Sequence, residues 1–286
     1  THHPAPDPPS ETQGAAAFDI QANVYQNLPE LPTTYVHRPE LESELAVRLK
    51  DGNHPIITLH GRGGIGKTSL ALRLAHSLAG EVDPQFDFIV WLSARDIDLR
   101  PSGPKRVRPA VTDIASVSAR YGELFECEGN AEAFAEVLQL PSRHSGKDKG
   151  ILFIFDNFET MQSPREFHEF LDTHTHLPNK VLITSRERAF KADFPIRVTG
   201  MEKDEAEELM HATARTLQIE GALTPDVCDS IFKYSEGHPY VIRMLIGEMA
   251  KDGKYTQPKS LLPRRMDIVE AVFDRSFQKL TEAGRR

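Results

Sequence analysis

The sequence predicts an α/β fold, a parallel sheet flanked by helices with a small helical region after it, and three observations carry that expectation. Short, nearly continuous apolar runs recur at His54–His60 (HPIITLH), Phe86–Leu92 (FDFIVWL), Gly150–Phe155 (GILFIF), Val181–Thr184 (VLIT) and Ile196–Val198 (IRV). Helix-length segments separate most of them, which is the pattern of strands buried on both faces. After about Gly200 the strand runs stop, and Asp204–Leu217, Pro225–Ser235 and Tyr240–Lys251 have helical spacing.

Each element follows in order along the chain. Residues 1–34 contain six prolines and no Lys or Arg, so a linker or disordered tail is expected, with His2 and His3 solvated. From Tyr35 the character changes, and Leu41, Leu45 and Leu49 mark an amphipathic helix over Glu40–Lys50. Thr68–Leu78 carries Leu70, Leu74 and Leu78 on one helical face directly after a strand and a glycine loop. Met266–Leu280 places Val269, Val272, Phe273, Phe277 and Leu280 at helical spacing, as at the start of a further domain. The expected organisation is therefore a linker over 1–34, an α/β domain over 35–200, a small helical domain over 201–262, and the beginning of another domain over 263–286.

Composition narrows the function classes. A net charge of −8 over 286 residues argues against wholesale coating of nucleic acid. The longest strictly apolar runs, Phe88–Leu92 and Ile151–Phe155, have five residues, far short of the ~20 that cross a bilayer. Two cysteines, Cys127 and Cys228, make neither a disulfide framework nor a cysteine zinc site. A cytoplasmic protein is expected.

The chemistry is concentrated in Gly61–Thr68 (GRGGIGKT), which matches GxxxxGK[ST], the phosphate-binding P-loop, between a strand and a helix. Amides around Gly61, Gly63, Gly64, Ile65 and Gly66 converge on phosphate oxygens, and Ser69 follows in the first helical turn. Lys67 reaches the β and γ phosphates, and the Thr68 hydroxyl is a Mg²⁺ ligand. Magnesium keeps several waters and takes one or two protein oxygens; Asp156, ending the apolar run ILFIF, supplies the carboxylate. The next residue is Asn157, which cannot accept a proton as a carboxylate does. Glu159 takes that role only if the strand continues past Asn157, so slow ATP hydrolysis is expected. Arg186, ending VLITSR, is the candidate γ-phosphate sensor. Gly237-His238-Pro239 reads as a helix stop and restart. Arg95, Arg100, Lys105, Arg106 and Arg108 form a basic loop, read as solvated, with a contact between subunits or a phosphate-backbone site as the sharper alternative. His174 and His176 lack a third ligand nearby in sequence, so no metal is expected there.

Taken in order, these segments resemble the nucleotide-binding module of STAND ATPases, the NB-ARC- or NACHT-like branch of the P-loop NTPases. Tyr35-Val-His-Arg38 is similar to the family's amino-terminal motif, with His37 in place of its usual Gly and Pro39 in place of its Glu. FDFIVWLSAR, ILFIFDNFE, ITSR and GHP resemble the strand after the P-loop, Walker B, the sensor-1 segment and the helical-domain GxP motif. Ser276–Arg286 resembles the opening of its winged-helix domain. The resemblance implies an ASCE-type sheet, a four-helix small domain, and adenine held between Val36 and Arg38 on one side and Pro239 on the other. It also implies fused or associated effector and sensor domains, an ADP-bound resting state and an ATP-bound state that forms homo-oligomers and activates the effector, as in bacterial antiphage immunity. The alternatives are the ATPase core of a transcriptional regulator and, disfavoured by Asn157, a nucleic-acid-dependent motor.

Overall fold

The computed structural model describes residues 7–100, 103–146, 148–186 and 194–252. Seven strands form one sheet: β1 (Asp19–Gln21), β2 (Val24–Gln26), β3 (Ile56–His60), β4 (Phe86–Ser93), β7 (Gly150–Asp156), β8 (Lys180–Ser185) and β9 (Phe194–Arg197). Their order is β1-β2-β4-β7-β8-β3-β9, and every pairing except β1 with β2 is parallel. A separate antiparallel hairpin joins β5 (Ile97–Arg100) to β6 (Gly103–Arg106). Because β8 lies between β3 and β7, the polar residues at its end emerge between the P-loop and Asp156. This is the expected ASCE-type arrangement.

The burial pattern follows from period-2 geometry. All seven residues of β7 are buried, with Leu152 and Ile154 facing one way and Ile151, Phe153 and Phe155 the other. The first face packs against α1 (Pro39–Lys50) through Leu45 and Leu49, and against α2 (Lys67–Ala79) through Leu70, Leu74 and Leu78. The second is covered by α3 (Ile114–Phe125), α4 (Ala131–Gln139) and α5 (Pro164–His174), with Val117, Phe134 and Phe167 at the contact. Each such fully buried side chain contributes ~1.5–3 kcal/mol, so the two covered faces hold the sheet rigid enough to aim its loop ends.

Beyond the sheet, α6 (Lys203–Thr216), α7 (Pro225–Ser235) and α8 (Pro239–Asp252) share a core of Leu209, Met210, Ile231, Ile242 and Ile246, joined by Val36. Three helices of the implied four lie in the described residues. The winged-helix start at 263–286 and the end of the 201–262 segment lie outside them.

The expectation of a linker over 1–34 is corrected for its described part. Residues 19–26 form the β1–β2 hairpin, and β2 extends the sheet beside β4. The anchor is Asn27, buried and used like a piece of strand: its Oδ1 accepts from the Trp91 amide at 2.6 Å, and its Nδ2 donates to the Trp91 carbonyl at 3.1 Å. Tyr25 stacks on Phe88 with ring centroids 5.2 Å apart, and Phe18 meets Phe125 edge-on at 5.1 Å. A few aromatics and one asparagine thus order a stretch whose average composition is that of a tail.

Asn27→Ala is expected to destabilise the protein by ~2 kcal/mol, because it leaves the buried Trp91 amide without its partner. The single tryptophan, whose Nε1 donates to the Thr12 carbonyl at 2.8 Å, reports the change. Urea unfolding with a red-shifted native emission is the expected result, and an unchanged midpoint and spectrum would show that residues 12–28 are held by other contacts.

Candidate nucleotide-binding site

Between the end of β3 and the start of α2 the chain turns through Gly61–Gly66. Gly61 lies so close to the next loop that a Cβ there would sit 2.6 Å from the Val198 carbonyl oxygen. Gly66 has φ +102° and caps α2 without a side-chain hydrogen bond, and the first turn of α2 carries no acidic residue. The leading amides of α2 and its positive dipole end therefore remain available to an anion. Lys67 curls back over this loop, its Nζ donating to the carbonyls of Gly61 (2.8 Å) and Arg62 (3.0 Å). Burial pushes its ammonium down to about 8, so the site already carries a desolvated positive charge in search of an anion.

Asp156 ends β7 with no exposure to solvent. Its Oδ1 accepts from the hydroxyls of Thr68 (2.6 Å) and Thr184 (2.8 Å), and its Oδ2 from Arg95 Nη2 (3.2 Å) and Ser93 Oγ (3.4 Å). Sheet register makes this possible: Ser93 is the cross-strand partner of Asp156, and β8 delivers Thr184 from the other side. Thr68 and Asp156 are hard oxygen donors in contact, which fits Mg²⁺ completed by water and phosphate oxygens.

Past Asp156 the strand stops. Asn157 takes a left-handed φ of 58° and its amide donates to Thr184 Oγ1 at 3.0 Å. A 3₁₀ turn over Phe158–Thr160 follows. The condition under which Glu159 shares a face with Asn157, a continuing strand, is not met. Glu159 instead pairs with Arg186, Oε1 to Nε at 3.1 Å, with both side chains mostly buried. Arg186 in turn lies against Gly63, 3.2 Å from where a Cβ would be.

These groups border one cavity of about 300 Å³. Of the residues expected from sequence, Val36, Arg38, Gly63, Gly64, Ile65, Gly66, Lys67, Thr68, Ser69, Asn157, Arg186 and Pro239 line it, whereas Gly61, Asp156 and Glu159 are not among the lining residues, and Asp156 meets the cavity through Thr68 and Arg95. Arg38 is committed elsewhere by its hydrogen bonds: Nη2 donates to the carbonyls of Thr199 (3.1 Å) and Gly200 (2.8 Å), and Nε to Glu205 Oε2 (3.2 Å). It fastens the helices to the sheet.

Sequence reasoning missed Tyr240 and Arg243, which line the far end of the cavity from α8, and Leu99, which enters it from the β5–β6 hairpin. It also missed Arg95, read as part of a solvated loop. Arg95 points inward, its side chain 16% exposed, and donates to Thr68 Oγ1 at 2.6 Å as well as to Asp156. The available signal was its place two residues after the end of β4, level with Asp156. Lys105 and Arg106 are exposed, as expected. His174 Nδ1 lies 3.0 Å from Gln139 Nε2, and among the described residues no cluster of three His, Cys, Asp or Glu side chains could hold a metal.

His238, read as part of a helix stop, joins the helices to the P-loop. Its Nε2 meets the Gly63 carbonyl at 3.0 Å, and because a carbonyl only accepts, that nitrogen carries the proton. Burial, reinforced by the charges of Arg62 and Lys67, pushes the imidazole down to about 4 from 6.5. The unfolded chain takes up this proton at a higher pH than the folded one. The stability linked to it is therefore complete above 6.5 and lost as the pH falls toward about 4. Thermal unfolding of the wild type is expected to lose ~2 kcal/mol between pH 7 and pH 5 from this group. His238→Gln, which retains a donor, should lose correspondingly less, and parallel pH profiles would mean that His238 titrates normally.

The NACHT domain family model matches residues 55–216. A search of curated proteins finds no match. Among solved structures, a Walker-type ATPase of Pyrococcus abyssi superposes with a TM-score of 0.52 at 12% identity, over 93% of this chain and 79% of that one. Drosophila ORC bound to DNA gives 0.51 at 12% identity, over 77% of this chain and 57% of that one. A Signal Transduction ATPase with Numerous Domains (STAND) protein with a tetratricopeptide repeat sensor, from Pyrococcus horikoshii, gives 0.47 at 17% identity over 82% of this chain; the match spans 32% of that protein's length. The two higher scores support the P-loop fold, and the family match covers more than half of the 286 residues and takes in the whole phosphate loop, Asp156 and Arg186: the chain belongs to the NACHT domain family of STAND P-loop ATPases.

Proposed function

We propose that this chain is an ATP/ADP-binding switch module in which hydrolysis is slow and the bound nucleotide sets the conformation. The observation that carries the reading is the convergence of Lys67, Thr68 with its partner Asp156, and Arg186 on one cavity that Pro239 also lines. Lys67 binds the β and γ phosphates from the loop, and the leading amides of α2 bind the remaining oxygens. Thr68 and Asp156 would hold Mg²⁺, which would supply positive charge to offset that of the phosphates. Arg186, kept in place by Glu159, reads the presence of the γ-phosphate. The adenine lies between Val36 and Pro239, so the base touches the core of the helical trio.

A switch is favoured over a motor by the surroundings of Asp156. The next residue is an amide, and the nearest following carboxylate, Glu159, is tied to Arg186, so neither is free to take a proton from an attacking water. Because His238 touches the P-loop and Pro239 lines the cavity from the same turn, a change at the phosphates reaches the helices directly. We infer that the ATP form oligomerises in the cytoplasm and passes its state to an effector, as the resemblance to bacterial immune and signalling ATPases implies.

Lys67→Ala should abolish retention of fluorescent ADP while leaving circular dichroism unchanged; undiminished affinity would sink the P-loop assignment. Asp156→Ala should weaken Mg²⁺-dependent ATP binding more than ADP binding. Steady-state turnover should stay below ~1 s⁻¹, and sizing should show a larger species with a non-hydrolysable ATP analogue than with ADP. Fast turnover with no change of size would favour a motor.

A further inference from the structure

The two oxygens assigned above to Mg²⁺ already have a cationic partner within the chain. Arg95 Nη2 donates to Thr68 Oγ1 at 2.6 Å and to Asp156 Oδ2 at 3.2 Å. Its backbone is held in place nearby: the Ala94 amide donates to the Asp156 carbonyl at 2.9 Å and the Arg95 amide to Ser93 Oγ at 3.3 Å. The guanidinium therefore reaches this position from a fixed base, and the side chain can swing without the strand moving.

A second acid stands beside the same guanidinium. Asp98 Oδ1 lies 3.8 Å from Arg95 Nη1 and is itself almost fully buried. Asp98 also fastens the amino-terminal segment: its Oδ1 accepts from Ser10 Oγ at 2.6 Å and its Oδ2 from the Glu11 amide at 3.1 Å. The strap is continued by the Arg108 amide on the Pro8 carbonyl at 2.8 Å and by Trp91 Nε1 on the Thr12 carbonyl. Glu11 and Thr12 line the nucleotide cavity together with Ile97 and Leu99 of the hairpin. One arginine thus lies between the metal ligands and the attachment of the strap.

We propose that Arg95 is an internal competitor of the magnesium ion: it holds Thr68 and Asp156 until Mg²⁺ arrives with nucleotide, then moves to Asp98 and loosens the strap over residues 8–13. The inference rests on the nucleotide-switch reading. Mg²⁺ approaches its oxygen ligands to ~2.0–2.1 Å, and two cations sharing a buried hydroxyl and carboxylate repel strongly where solvent does not screen them. Arg95 must yield, and Asp98 is an acid it already adjoins. On arrival it competes with the Ser10 hydroxyl for the same oxygen, Oδ1. Without metal, the guanidinium remains near the phosphates and supplies part of the missing positive charge.

The test is a Mg²⁺ titration of fluorescent ADP binding to the full chain, with EDTA as the metal-free arm, alongside amide exchange over residues 10–13. Arg95→Met should lower the half-saturating Mg²⁺ about tenfold, the scale of one charge-assisted hydrogen bond, and weaken binding in EDTA. Asp98→Asn should shift the Mg²⁺ requirement the opposite way, since the displaced arginine loses its second partner. In the wild type, Mg²⁺–ADP should accelerate exchange of the Glu11 amide relative to ADP with EDTA, and in Arg95→Met it should not. Should the methionine variant fail to fold, Arg95→Lys, which keeps one donor and the charge, should give a smaller shift in the same direction. A Mg²⁺ requirement unmoved by the Arg95 and Asp98 substitutions, or strap exchange indifferent to Mg²⁺ in the wild type, overturns the inference while leaving nucleotide binding intact. Absence of nucleotide binding in the wild type overturns both readings.

Discussion

A carboxylate with no access to water must find its compensation inside the protein, and Asp156 finds it in donors delivered by four separate elements. Thr68 comes from the start of α2, Ser93 from β4, Arg95 from the segment after it and Thr184 from β8. Burying a lone charge costs several kcal/mol, so each donor is held in place by the need to satisfy it. The strand order around β7 is the structural condition for this, because it brings the ends of β4 and β8 to either side of the acid. The glycine-rich loop, the end of β4 and the end of β8 are consequently fixed relative to one another by a single buried anion.

The helical trio is joined to this centre by polar contacts as well as packing. Arg38 holds the carbonyls of Thr199 and Gly200 and the carboxylate of Glu205, and His238 reaches the P-loop at Gly63. Contacts of this kind are directional and few in number, so they are exchanged more readily than a packed apolar face. The sheet, by contrast, is covered on both faces by packed apolar side chains.

At the opposite wall, the β5–β6 hairpin and the strap over residues 8–13 bring polar and apolar groups to the same cavity. The cavity therefore lies between three parts of the chain that are distant in sequence: the P-loop, α8 and the amino-terminal segment. Trp91 lies under the strap and donates its indole N–H to the Thr12 carbonyl, while its backbone pairs with Asn27. Ordering of the amino-terminal segment and integrity of β4 are thus coupled through one residue.

Much of this was legible in the sequence because its signals are local. Apolar runs marked four strands buried along nearly their whole length, β3, β4, β7 and β8, and a fifth, β9, in which Ile196 alone is buried; leucine spacing marked α1 and α2, and GRGGIGKT, the acid after ILFIF and the arginine after VLITS singled out Lys67, Thr68, Asp156 and Arg186 without reference to any fold. Local signals failed where a few residues act across a distance. The proline-rich start becomes part of the sheet because Asn27 and Tyr25 meet Trp91 and Phe88, partners more than sixty positions away. Arg95, one basic residue among several along the chain, is distinguished from Lys105 and Arg106 only by the sheet that sets it beside Asp156. The end of β7 at a left-handed Asn157 turned Glu159 toward Arg186, which spacing along the chain does not encode. Motifs determine which chemistry the chain carries, since residue type and adjacency are written in the sequence; which charge meets which was decided by tertiary structure, because electrostatic pairing depends on distance through space.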